Sequence, residues 1–110
     1  MSKKKRSNNN FKVSTRPSWE ELGMSKERVR ELQNRCKAGI YPSEMLSKAC
    51  AEFKFIEPWI LLSVTKGCSY DAMMIKWELG ELERAPVGKS DFYGFKRMFL
   101  HNLDCLLKAD

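Results

Sequence analysis

The segment Lys89-Ser90-Asp91-Phe92-Tyr93-Gly94-Phe95-Lys96-Arg97-Met98-Phe99-Leu100-His101-Asn102-Leu103-Asp104-Cys105-Leu106-Leu107-Lys108 carries its apolar residues at helical spacing. Phe92, Phe95, Phe99, Leu103 and Leu106 recur at steps of three and four, which stacks them along one face of an α-helix. Ser90 is the expected N-cap, and Asp91 places negative charge at the positive end of the helix dipole. At about 100° per residue, Ser90, Tyr93, Arg97 and His101 fall on the face opposite the rings. The expectation is one long C-terminal helix that drives its rings into a core and leaves a polar flank open.

Working back from that helix, the rest of the chain reads as shorter helices separated by turn signals. Ser69 is placed to cap a helix from Tyr70 to about Trp77, with Tyr70, Met73, Met74 and Trp77 as its apolar contacts. The run Trp59-Ile60-Leu61-Leu62-Ser63-Val64 suits a buried strand or a short central helix, and Pro58 before it and Gly67 after it favour the helix. Tyr41-Pro42 opens another helix whose inner side is Met45, Leu46, Ala49, Cys50 and Phe53. Ser25 caps a helix over Lys26 to Ala38 with a thin stripe of Val29, Leu32 and Cys36, stopped by Gly39 where a left-handed residue is favoured. Ser18 begins a short turn with Glu20 and Glu21 near its start, closed by Gly23. Between Glu78 and Gly88 a short helical piece and a small hairpin are both compatible with Gly80, Pro86 and Gly88. No alternation is long enough to build a sheet. The fold class is therefore all-α, a small bundle of about five to six helices forming one domain over 17–110, with a basic, disordered tail over 1–16.

The 110 residues hold 20 basic and 14 acidic side chains, a formal net charge of +6. Lys3, Lys4, Lys5, Arg6, Lys12 and Arg16 supply all of it, so the remaining 14 basic and 14 acidic groups of the body cancel. The tail, with Lys3, Lys4, Lys5 and Arg6 at its front, suits contacts to phosphates or to any acidic surface. No apolar run approaches the roughly 18 residues that cross a bilayer, and Asn and Ser follow the basic start where a signal peptide would be apolar. A cytoplasmic protein without a membrane role is expected. Cys36, Cys50, Cys68 and Cys105 lack the close spacing of a zinc site, and His101 is the one histidine, so no metal is expected and the cysteines read as reduced thiols. No phosphate loop, nucleophile motif or paired carboxylates ask for catalysis, and no enzyme or cofactor is expected.

From Pro58 onward the order is short apolar helix, Gly67 turn, capped helix, loop and long helix, which matches helix-turn-helix organisation over 58–108. Lys89, Ser90 and Tyr93 then suit phosphate or base-edge contacts, and Arg97, one turn on, suits a guanine edge or a phosphate. Two motifs carry a resemblance: Thr65-Lys66-Gly67-Cys68-Ser69-Tyr70-Asp71, and Pro86-Val87-Gly88-Lys89-Ser90-Asp91-Phe92-Tyr93-Gly94-Phe95-Lys96-Arg97 with a closing Phe99 and Leu103-Asp104. They resemble small phage and mobile-element proteins of Gram-positive bacteria. In outline they are similar to phage late-transcription activators, whose helix-turn-helix is related to the promoter-binding part of sigma factors. That resemblance implies sequence-specific DNA binding and transcriptional control, with Ser90, Tyr93, Lys96 and Arg97 in recognition roles. Double-stranded DNA is the expected partner, and a homodimer would suit a palindromic site. The alternative is a small helical protein-protein interaction module or inhibitor, such as a phage anti-defence protein, that binds a nucleic-acid-handling host protein. The neutral body and the acidic loop with Glu78, Glu81 and Glu83 favour that alternative.

Overall fold

The computed structural model describes residues 18–109. The basic tail, including Lys3, Lys4, Lys5 and Arg6, lies outside the described residues. Five α-helices follow in order: α1 (Lys26–Lys37), α2 (Ser43–Ala49), α3 (Glu57–Lys66), α4 (Tyr70–Glu78) and α5 (Lys89–Lys108). A 3-10 segment, Ala51–Ile56, joins α2 to α3. No strand occurs among the described residues. The all-α reading holds, and the apolar run at Trp59 is helical.

Local signals set most of the boundaries. The Ser18 hydroxyl accepts from the Glu21 amide at 3.1 Å, and the Glu21 carboxylate accepts from the Ser18 amide at 2.8 Å. This reciprocal pair satisfies two donors of a single turn. The Ser25 hydroxyl accepts from the Arg28 amide at 3.1 Å, and the Ser69 hydroxyl from the Ala72 amide at 3.1 Å, so α1 and α4 start where capping chemistry places them. Gly39 and Gly67 stop α1 and α3 with φ of 72° and 68°, a left-handed backbone that costs glycine nothing.

α5 is the hub of the packing. It meets α1, α2, α3 and the 3-10 segment. Phe92, Phe99, Leu100 and Leu103 are fully enclosed, together with Leu32 and Cys36 of α1, Ala49 and Cys50 beside α2, and Ile60 of α3. The inward sector of α5 is wider than a stripe of Phe92, Phe95, Phe99, Leu103 and Leu106. Leu100 and Asp104 are buried as well, while Phe95 and Leu106 are only partly so. Phe95 sits at the edge, 5.4 Å from the rings of both Phe53 and Phe55.

The helix expected to run from Pro42 through Phe53 breaks after Ala49. Phe53 takes φ −143° and ψ 55°, a non-helical turn that aims its ring at Phe95. Asn102 of α5 donates its Nδ2 to the Ala49 carbonyl at 3.1 Å, which satisfies an acceptor freed by the break. The link from α4 to α5, residues 79–88, is neither helix nor hairpin. Three contacts pin it: Trp59 Nε1 donates to the Glu83 carbonyl at 3.1 Å, Tyr70 Oη donates to the Val87 carbonyl at 2.8 Å, and the Arg84 guanidinium lies 5.1 Å from the Trp77 ring centre.

Among the thiols, Cys36 and Cys50 are buried as expected, and burial pushes them up to about 11 and about 12. Cys105 is exposed on the outer side of α5, and Cys68 is half-buried.

Candidate functional site at the start of the long helix

Five α5 residues, Lys89, Ser90, Tyr93, Lys96 and Arg97, form the sequence-derived candidate site. Their neighbourhood begins before the helix does. Gly88 is extended, with φ −75° and ψ 173°, and its carbonyl accepts from the Phe92 amide at 2.9 Å. Gly88 is thus the N-cap and Ser90 the second helical residue, a correction to the expected Ser90 cap. The Tyr70–Val87 hydrogen bond and the burial of Ala85 fix the incoming chain, and this tertiary constraint outweighs the capping preference of serine. Gly88 supplies no side-chain cap of its own, and Lys89 and Ser90 after it are exposed.

The five residues separate into three environments. Lys89 and Ser90 are exposed at the tip of the helix. Lys89 Nζ lies 2.9 Å from Asp71 Oδ2, an exposed pair that raises the lysine pKa through the hydrogen bond and the charge of Asp71. Tyr93 is turned towards α4: its Oη accepts from the Tyr70 amide at 3.1 Å, and its ring stands 5.3 Å from Phe92. Tyr93 therefore caps the first turn of α4. Lys96 is half-buried, with Nζ 5.8 Å from the Tyr93 ring centre, and burial pulls its pKa below the usual lysine range. Arg97 is half-buried too, and Gly94, on the flank expected to be open, is buried.

The expectation of a wholly open polar flank is therefore corrected. A helix that meets neighbours on several sides has no free half, and at about 100° per residue Tyr93 and Lys96 fall within its inward sector. The structure brings Tyr93 and Lys96 together against α1, α3 and α4, and leaves Lys89 and Ser90 at a separate, solvent-facing tip. Periodicity on α5 missed the residues that share the cleft with Lys96, namely Lys37, Ser63 and the Gly67–Ser69 turn. One signal was present: Ser63 is a polar residue inside the most apolar run of the chain.

Among the described residues no His, Cys, Asp and Glu side chains cluster as a metal site, and no helix is long and apolar enough to cross a membrane. No family model matches the chain, and neither a curated protein nor a solved structure matches it.

Proposed function

We propose that this protein is a DNA-binding regulator that docks on duplex DNA through the start of α5, with Lys89 and Ser90 at the contact and the tail lysines and Arg6 on nearby phosphates. The observation that supports the reading is the exposed start of α5, where Lys89 and Ser90 face solvent and Gly88 brings no side chain of its own. A helix start carries the positive pole of the helix dipole, which favours a phosphate, and it can approach a groove end-on. In this reading Tyr93 and Lys96 serve as support and not as base readers, since the Tyr93 hydroxyl already has a partner and Lys96 is half-buried. The phage or mobile-element setting rests on the motif resemblance alone.

Fluorescence anisotropy with a labelled duplex across a salt series tests the proposal. Affinity is expected to fall steeply with salt, with a slope of roughly 0.9 per phosphate neutralised. Neutralising Lys3, Lys4, Lys5 and Arg6 together lowers that slope but leaves a preference among sequences, which Lys89→Ala with Ser90→Ala then relaxes. Loss of all duplex binding in the tail variant would leave only a charged tail and reject the proposal.

A second reading, a protein-interaction module, has one specific observation behind it. Ile75 of α4 and Leu79, the residue that follows the helix, are 57% and 67% exposed, with Trp77 at 39%. Large apolar side chains grouped at a helix end suit a protein partner. Failure of duplex binding together with loss of a protein complex in an Ile75→Asp variant would favour it.

A further inference from the structure

Lys37 and Lys96 line one cleft of about 260 Å³ where the end of α1, the end of α3, the Gly67–Ser69 turn and α5 converge. The volume equals that of several water molecules at about 30 Å³ each. No carboxylate among the described residues lines it. Neither lysine has an ion-pair partner among the described residues. The Lys37 side chain crosses to the α3–α4 turn: a Cβ placed on Gly67 would stand 3.5 Å from its Cε and 3.7 Å from its Nζ. Burial lowers the Lys96 pKa, and the charge of Lys37 adds to the fall.

Ser63 gives an independent pointer. It lines the same cleft, is 3% exposed, and its hydroxyl has no hydrogen-bond partner among the described residues. An orphaned buried hydroxyl is destabilising, and two neighbouring ammonium groups in a partly dry cleft repel. One anion would relieve both. The N-terminal end of α4 contributes the positive pole of its dipole, and the Ser69 hydroxyl, which accepts from the Ala72 amide, keeps its proton to donate.

We infer that this cleft binds a phosphate group, held by Lys37, Lys96, the Ser63 hydroxyl and the start of α4. A phosphate offers several acceptor oxygens to donors on separate elements, which a planar carboxylate does less well. The site stands independently of the DNA reading, because the group can belong to a nucleic-acid backbone or to a free phosphate monoester.

Amide chemical-shift mapping of the full-length protein tests it, with inorganic phosphate, adenosine monophosphate and a duplex oligonucleotide as separate probes. Phosphate is expected to shift Ser63, Gly67, Cys68 and Ser69 in a saturable way. Lys37→Ala should weaken that binding about tenfold, which is what losing one charge-assisted hydrogen bond implies. Lys37 is exposed, so this variant leaves the core intact. Lys96→Met should abolish binding and raise the melting temperature, because an unpaired half-buried charge is removed; a purely structural lysine would lower it. Shifts from the duplex on the same amides identify the source as a phosphodiester. Shifts from adenosine monophosphate with an indifferent duplex identify a monoester and reject the DNA reading while the cleft stands. Absence of shifts at Ser63 and Gly67–Ser69 with all three probes, or unchanged binding in both variants, would overturn the inference, whatever the duplex does elsewhere on the protein.

Discussion

Asp104 joins the long helix to the first one, and its chemistry sets a pH response. Its carboxylate is buried, with Arg28 Nε at 2.7 Å and Lys108 Nζ at 3.1 Å. Burial alone would raise its pKa, but the hydrogen bonds from Arg28 and Lys108 outweigh it and hold the carboxyl below the usual range. A depressed folded pKa means stability that is fully present above about pH 4 and is lost as pH falls towards the folded value. Acid denaturation followed by circular dichroism should therefore be less steep below about pH 4 in Asp104→Asn. At neutral pH, Asp104→Ala should cost about 2 kcal/mol, the scale of a charged hydrogen bond left without its acceptor. The phenylalanines grade by burial: urea melts should show Phe92→Ala losing about 3–5 kcal/mol and Phe95→Ala about half of that. Equal losses would contradict the placement of Phe95 at the core edge.

At the scale of elements, what could be read locally came out in the structure, and what depends on distant partners did not. Ser25, Ser69, Gly39 and Gly67 act within their own turns, so the limits of α1, α3 and α4 were legible from the sequence. The break after Ala49 was not, because it depends on Asn102, 53 positions away, and on the contact of Phe53 with Phe95. Tyr93 was assigned to the open flank for a related reason: its partner, the Tyr70 amide, lies 23 residues earlier and leaves no trace in the period of α5. Tyr93→Phe keeps the ring and removes that acceptor. It should cost about 1 kcal/mol in thermal melts and increase hydrogen exchange in the first turn of α4. Ser69→Ala removes the other cap of the same turn and should cost a similar amount. An unchanged exchange rate in both variants would show that α4 is held by Tyr70 and Met73 alone.

At the scale of the whole molecule, charge and hydrophobicity are unevenly placed. The formal +6 belongs to residues 1–16, while the body is neutral and its cleft lysines, Lys37 and Lys96, have no carboxylate beside them among the described residues. A neutral body does not attract DNA over long distances, so the proposed DNA binding predicts that the tail governs the association rate and the start of α5 the selectivity. The bundle itself was legible because the apolar faces of five segments cover most of the chain; the cleft was not, because it is assembled from four elements that each look ordinary alone. Selection of binding sites from random duplex DNA by the full chain tests the central proposal most directly. The account predicts enrichment of a shared sequence, altered when Lys89 and Ser90 are both replaced by alanine. A pool that stays random through successive rounds at moderate salt would contradict it.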